Sequence, residues 1–232
     1  MKISNPFREL TKFERVLWLT SVAVSIASFF LSGGSGILET IASLIGVTAL
    51  IFVAKGYVLG QVLTVLFAVF YGIISIIFGY YGEMITYLFM TAPMAVMAVV
   101  SWIKHPYENS KEVEISHLTK KNVLIMAALA VTVTIAFFFI LKALNTANLI
   151  FSTISVTTSF IAVFLTYLRS PYYALGYAAN DIVLIILWSL AAITDISYIP
   201  MILCFVMFLF NDIYGFYNWR KMRKRQELGE KA

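Results

Sequence analysis

Eight long apolar runs, separated by short polar stretches, are the feature of this chain that most restricts its fold. Each run is long enough for a helix to cross a hydrocarbon layer of ~30 Å at ~1.5 Å per residue. The runs show no alternation of apolar and polar residues, so they predict helices rather than the strands of a barrel. The chain is 61% hydrophobic over 232 residues, which is more apolar surface than one soluble core can bury. We therefore predict an all-α integral membrane protein with eight transmembrane helices.

The predicted spans lie at 16–33, 36–54, 57–80, 84–103, 122–141, 148–168, 172–193 and 197–219. The first run also has the length of a signal peptide, but the charged segment before it is long for one, which favours a retained span. Within that segment, Phe7, Leu10, Phe13 and Leu17 recur at helical spacing. This spacing predicts a helix lying in the membrane interface, with a frayed tail as the alternative.

Lysine and arginine are distributed very unevenly between the two sides that these spans define. If the N-terminus is cytosolic, only Lys142 of the 17 basic residues lies outside. Cytosolic segments of membrane proteins carry an excess of Lys and Arg. We therefore predict that both termini are cytosolic.

Spans 2–4 and 6–8 follow the same pattern, which predicts an internal repeat. In each triplet a basic residue follows the first helix and an acidic residue follows the second, and the third ends in Trp-x-Lys at 102–104 and 219–221. Because one span connects the triplets, the two repeats run parallel, an arrangement known in transporters. The predicted division is an N-terminal interfacial segment with an extra helix (1–35), a first repeat (36–103), a loop and linker helix (104–147), a second repeat (148–219) and a basic tail (220–232). Trp102 and Trp219, at the ends of their spans, are expected in the interfacial aromatic belt.

Polar side chains inside the spans are candidate site residues, because each one that faces lipid costs free energy. They form stripes on single helical faces of spans 3, 7 and 8, and so come from both repeats. The predicted substrate-binding set is Gln61, Tyr71, Asn180, Trp188, Asn211 and Tyr214. Aromatic faces beside amides suit a flat heteroaromatic ligand with hydroxyl groups, and a positively charged ring gains ~0.5–2 kcal/mol against an indole. The same amides also suit bonds between helices, so both interpretations stay open.

Asp181 and Asp212 are carboxyl groups within predicted spans and have three possible roles. Each is a candidate for proton coupling, for a counter-charge to a cationic substrate, or for a bond at a helix end. Cys204 is the one cysteine, so no disulfide forms within the chain. His105 and His117 lack partners at ligand spacing, and we expect neither a metal nor another cofactor.

Several functional classes are disfavoured by what the sequence lacks. It contains no G-x-x-x-x-G-K-S/T loop, which excludes primary transport by this chain alone. Converging His, Asp and Glu groups, as a membrane enzyme needs, are not visible, and neither are the charge rings of a channel. No nucleic-acid partner is expected. A transporter is the favoured class, and a structural subunit is the remaining alternative.

The chain resembles the PnuC family of nicotinamide riboside transporters. The resemblance lies in Asn211-x-x-Tyr214-x-x-x-x-Trp219 followed by a basic tail, in "NDIVLIILW" at 180–188, and in the layout of almost the whole chain. It implies uptake of nicotinamide riboside by facilitated diffusion across the bacterial inner membrane, with trapping by a cytosolic kinase. It also implies a homotrimer and a 3+1+3 core similar to that of the SWEET sugar transporters. Because close relatives carry thiamine or riboflavin, a proton-coupled transporter of such a vitamin is the alternative.

The predicted topology can be tested by cysteine accessibility. We expect a membrane-impermeant thiol reagent to label an Asn145→Cys variant from outside the cell and a Leu228→Cys variant only after the membrane is opened. The parent chain, whose single cysteine lies in an apolar run, is the control. Labelling of both positions from the same side would contradict eight spans with two cytosolic ends.

Overall fold

The computed structural model confirms the prediction of an all-helical chain with eight helices of membrane-spanning length. It describes residues 5–31, 37–77, 81–108, 110–146, 148–193 and 198–229. Within these ranges the long apolar helices are α1 (Lys12–Leu31), α2 (Ile37–Ala54), α3 (Val58–Ile77), α4 (Tyr81–Lys104), α5 (Lys120–Ala143), α6 (Leu149–Tyr167), α7 (Tyr173–Ala192) and α8 (Ile199–Gly229). The boundaries agree with the predicted spans to within a few residues, except that α8 continues beyond 219 to Gly229.

The segment before α1 differs from the predicted interfacial helix. Pro6–Glu9 form a short 3₁₀ helix, and α1 begins only after Thr11. Thr11 and Glu14 make a capping box, in which the Thr11 hydroxyl accepts from the Glu14 amide at 3.2 Å and the Thr11 amide donates to the Glu14 carboxylate at 2.6 Å. This cap interrupts the helical spacing, and the ring of Phe7 lies 5.1 Å from that of Phe52 in α2. Phe7 therefore contacts α2, although 39% of the residue stays exposed.

The helices pack as two groups, with α1 and α5 at the outside. In one group α3 contacts both α2 and α4, and in the other α7 contacts both α6 and α8. The groups meet where α2 contacts α8 and α4 contacts α6, while α1 covers α2 and α8. Helix α5 packs mainly on α6, and only 6% of its most apolar stretch of 18 residues is buried inside the protein. This linker helix therefore lies at the edge of the bundle.

Two tryptophans join the helix groups through reciprocal hydrogen bonds. Trp102 at the end of α4 donates its indole N–H to the Thr166 carbonyl at 3.0 Å, and Trp219 in α8 donates to the Val53 carbonyl at 2.8 Å. Their ring centroids lie 5.3 Å apart, and both side chains are fully buried. The expectation that they belong to an interfacial belt is therefore wrong, because each indole bonds the last turn of a helix in the other group.

The loop between α4 and α5 closes one end of the bundle, which we call the basic end because Lys55, Arg169 and the C-terminal part of α8 lie there. The Val113 amide donates to the Gly56 carbonyl at 2.9 Å. Gln226 on α8 holds the same loop, since its amide group donates to the Val113 carbonyl at 3.1 Å and accepts from the Ile115 amide at 2.8 Å. At ~1.5 Å per residue, the 31 residues of α8 exceed a ~30 Å hydrocarbon layer. Its last turns therefore extend past the layer and anchor the loop.

Charged pairs add further cross-links at the basic end. Lys111 in the loop pairs with Glu9 at 2.7 Å, and Arg225 of α8 pairs with Glu112. Tyr57, between α2 and α3, donates its hydroxyl to Glu9 at 2.8 Å. Burial and the nearby Glu9 carboxylate raise the pKa of Tyr57, so this phenol stays protonated and remains a donor at neutral pH.

The tight contact between α2 and α3 depends on Gly60, where a Cβ atom would lie 2.3 Å from the backbone nitrogen of Val53. We expect Gly60→Ala to lower the free energy of unfolding by about 1–3 kcal/mol, because the backbone cannot move aside without separating the helices. Thermal unfolding of the purified protein in detergent measures the change. Gly82→Ala is the matched control, since its Cβ would first meet the end of the Leu141 side chain, which can rotate. Equal melting temperatures for the two variants would contradict this interpretation.

Candidate substrate cavity

A small cavity lies at the centre of the bundle, where six helices from both groups meet. Its volume is about 50 Å³, enough for a few water molecules. We call it the central cavity, and its lining residues are Gly46, Ala49, Leu50 and Val53 of α2; Gln61, Thr64 and Phe67 of α3; Tyr87 and Thr91 of α4; Ser159 of α6; Tyr177, Asn180 and Asp181 of α7; and Phe205, Phe208 and Asp212 of α8. Two of the six predicted site residues, Gln61 and Asn180, therefore line one space.

Asn180 is held in a fixed orientation by hydroxyl groups of α6. Thr158 donates to its side-chain carbonyl oxygen at 2.9 Å, and Ser155 donates to the same oxygen at 3.1 Å. Asn180 is 4% exposed and Gln61 is 2% exposed, so both amides are buried in the bundle. Fixed amides of this kind can bind a polar ligand with little loss of side-chain entropy.

Asp181 and Asp212 bring two carboxyl groups to the same cavity. Each is 3% exposed, and the two side chains lie within hydrogen-bonding reach of each other. Among the described residues, Oδ2 of Asp181 has no hydrogen-bond partner, and no Lys, Arg or His lines the cavity. Buried carboxylates without a cationic partner are costly, so this pair is a strong candidate for a functional role. The described part of the chain places no group of three or more His, Cys, Asp or Glu side chains where they could hold a metal ion.

A widened helical turn in α4 brings two further residues to the cavity that the sequence reasoning missed. Thr86–Thr91 form a π-helical segment immediately before Pro93. Proline lacks the N–H that would bond back into the preceding turn, and π-helical turns are frequent at functional sites. Tyr87 and Thr91 of this segment line the cavity, and within the described ranges the Thr91 hydroxyl finds no partner. A proline inside a predicted span is the signal that would have identified this turn.

Tyr71 and Trp188, also predicted site residues, lie in an aromatic layer next to the central cavity. The layer consists of Tyr71, Tyr87 and Trp188: the first two rings are 4.4 Å apart, and Trp188 lies near the Tyr71 hydroxyl. Trp188 also lines a second space of about 260 Å³ at the opposite end from the basic end, which we call the distal cavity. Its other lining residues include Glu83, Asn145, Thr146 and Ser152. The aromatic layer therefore separates the two cavities.

Asn211 and Tyr214, the remaining predicted site residues, face α1 rather than the central cavity. The Asn211 amide group donates to the Ser21 hydroxyl at 3.0 Å, and the Tyr214 hydroxyl donates to Glu14 of α1 at 2.8 Å. Glu14 also pairs with Lys55 at 3.2 Å. Because neighbouring residues of a helix point about 100° apart, α8 directs Asp212 into the cavity and Asn211 towards α1. The polar face of α8 is therefore divided between these two environments.

Comparison with known proteins identifies the family of this chain. The family described as "Nicotinamide mononucleotide transporter" matches residues 36–221, which include both helix groups and the linker helix. The nicotinamide riboside transporter PnuC of Neisseria mucosa is 29% identical over 93% of this chain and 83% of its own length. The PnuC protein of Haemophilus influenzae, with the same description, is 25% identical over 90% of this chain and 91% of its own length.

A solved structure shares the architecture as well as the sequence. The crystal structure of the vitamin B3 transporter PnuC superimposes with a TM-score of 0.81 and 27% identity, and the match covers 94% of each chain. The eight-helix fold, the family match and the relatives' transporter descriptions agree with the resemblance seen in the sequence. This multi-pass membrane protein belongs to the PnuC family of transporters, not to a family of enzymes.

Proposed function

We propose that this protein carries nicotinamide riboside across the bacterial inner membrane by facilitated diffusion. The observation that carries the proposal is the central cavity, which joins buried amides, hydroxyl groups, aromatic rings and carboxyl groups. Amides and hydroxyls match the carboxamide and ribose of the riboside, and aromatic faces and carboxyls match its positively charged ring. The relatives described as nicotinamide riboside transporters support the same substrate.

The lining of the cavity favours the riboside over the mononucleotide named in the family description. A phosphate group is recognised by Arg, Lys or free backbone amides at a helix N-terminus. The central cavity instead presents Asp181 and Asp212, and its described lining contains no basic residue. A phosphate placed there would meet like charge, so we propose that the mononucleotide is rejected.

Within the predicted set we propose different roles for different residues. Gln61 and Asn180 bind the substrate in the central cavity. Tyr71 and Trp188 form the aromatic layer through which it passes from the distal cavity. Asn211 and Tyr214 hold α8 against α1 outside the cavity.

The substrate must enter through a conformational change. A volume of about 50 Å³ is far below the roughly 300 Å³ or more of a typical small-molecule site. We propose that the aromatic layer closes one side of the cavity and that the loop held by Gln226 closes the other. Opening them in turn would expose the cavity to each side of the membrane.

The architecture and orientation proposed from the sequence have specific support. The reciprocal bonds of Trp102 and Trp219 relate the two helix groups as equivalent halves, which supports the SWEET-like 3+1+3 arrangement of parallel repeats. The concentration of Lys and Arg at the basic end supports a cytosolic position for that end and for both termini. A homotrimer, and trapping of the product by a cytosolic kinase, remain proposals that rest on the family resemblance.

A proton-coupled transporter is the second candidate function, favoured by the Asp181–Asp212 pair. Buried carboxyl groups in transporters are common proton carriers. Nicotinamide riboside, however, already carries one positive charge. A membrane potential that is negative inside therefore favours its entry by ~2.3 kcal/mol of free energy per 100 mV. This is enough to drive entry without a coupled ion, so we prefer uniport.

Transport by the purified protein in proteoliposomes tests whether it is a uniporter or a proton-coupled transporter. With an inside-negative potential we expect the riboside to accumulate roughly tenfold per 60 mV, and we expect no uptake of the mononucleotide. With an imposed proton gradient at zero potential, the riboside should equilibrate without accumulating. Protein-free liposomes are the control. Accumulation at zero potential that disappears in Asp181→Asn or Asp212→Asn would instead establish proton coupling.

A matched pair of amide substitutions tests the proposed division of roles. Asn180→Leu should weaken riboside binding at least tenfold because it removes a cavity amide, and it should also lower thermal stability because it removes the bonds from Thr158 and Ser155. Asn211→Leu should lower thermal stability because it removes the bond to Ser21, while the dissociation constant of the folded protein changes little. Calorimetric titration and thermal unfolding measure the two quantities. Loss of binding only in the Asn211 variant would reverse the assignment.

A further inference from the structure

We propose that Asp181 and Asp212 act together as a counter-site of one negative charge, which selects substrates with a positively charged ring over neutral rings of the same shape. The proposal deepens the transport function proposed above and rests on it. It assigns charge selection to two residues of the second helix group, one on α7 and one on α8. The amides and hydroxyls of the central cavity bind the ribose and the carboxamide, as proposed above.

The net charge of the pair follows from its geometry. The two carboxyl groups lie within hydrogen-bonding reach of each other, and such a bond requires a proton on one of them. Two carboxylates at this separation cannot both be ionised in a site so deeply buried. A cation in the cavity favours release of one of the two protons, and the single negative charge left on the pair then matches the single positive charge of a pyridinium ring.

The protein itself supplies no described cation to balance this charge. No Lys, Arg or His lines the central cavity, and Lys55 pairs with Glu14 at 3.2 Å outside it. Oδ2 of Asp181 lines the cavity without a partner among the described residues. A buried charge in this state is costly, and a cationic ligand in the cavity removes the cost.

Two further features of the cavity also suit the riboside. The Thr91 hydroxyl, which is 5% exposed and lacks a partner in the described part of the chain, offers a free hydrogen-bonding group. Tyr87, Phe205 and Phe208 bring aromatic rings to the same space. A delocalised positive ring is attracted to aromatic faces, whereas a neutral dihydropyridine ring gains no such attraction. The carboxyl pair and the aromatic rings therefore both favour the positively charged ring over the neutral one.

A purely structural role for the pair makes a different prediction. If the carboxyls only hold α7 against α8, one asparagine in place of either aspartate preserves a hydrogen bond between the helices. Such a change would alter the affinity for charged and neutral ligands alike. The ratio of the two affinities therefore separates charge selection from packing.

The test uses two ligands that differ in ring charge. Nicotinamide riboside is the cation, and its reduced dihydronicotinamide form is neutral with the same ribose and carboxamide. We expect the wild-type protein to bind the cation at least tenfold more tightly, as measured by calorimetric titration in detergent. Asp181→Asn and Asp212→Asn should each reduce this ratio of affinities at least tenfold. Each variant should bind the cation more weakly and the neutral form with little change in affinity.

Glu14→Gln is the matched control, because it converts a buried carboxyl outside the cavity to an amide. Its affinity ratio should equal that of the wild type. Failure of the wild type to bind either riboside would overturn the proposed function itself. Equal binding of both forms by the wild type, or an unchanged ratio in both asparagine variants, would overturn the counter-site while leaving riboside transport in place. The wild-type comparison is decisive even if the variants do not fold.

Discussion

The hydrocarbon layer offers no water to a polar group, and the rest of this structure follows from that constraint. Backbone groups are satisfied within eight helices, and buried polar side chains must find partners in neighbouring helices. Asn211 meets Ser21, Tyr214 meets Glu14, and Trp219 meets the Val53 carbonyl. Several of the polar groups singled out by the sequence thus join helices.

The same constraint makes the central cavity stand out. Its Asp181 oxygen and Thr91 hydroxyl are buried, and each lacks a partner among the described residues. Other buried atoms in the described part of the chain, such as Oδ1 of Asn211 and Oε2 of Glu83, also lack partners, but the central cavity brings two such groups to one space. Two unmatched polar groups around one cavity fit a site where a ligand completes the bonding. The widened turn before Pro93 contributes to this arrangement, because it directs Tyr87 and Thr91 into the cavity.

The two ends of the bundle are built differently, as the alternate opening proposed above requires. The basic end is tied by the loop at 105–119, by Gln226 and by ion pairs such as Lys111–Glu9. The opposite end has the distal cavity, separated from the central one by the aromatic layer. Polar bonds next to water exchange readily with solvent, whereas aromatic side chains move by changing rotamer. Both would serve as the reversible closures that the proposed substrate path requires.

The number, order and approximate bounds of the membrane helices could be predicted from the amino acids, because hydrophobic length is a local property that the bilayer selects directly. The sequence also pointed to the family and to Gln61, Asn180, Asp181 and Asp212, since each is a polar group in an apolar run. The direction in which each polar group faces could not be predicted, because it depends on how distant helices pack. Neighbours in sequence, such as Asn211 and Asp212, point to different helices, and the partner that satisfies each of them lies up to 190 residues away. Buried Trp102 and Trp219 were misjudged for the same reason: their position at a span end is local, but the carbonyls they bond belong to the other half of the bundle.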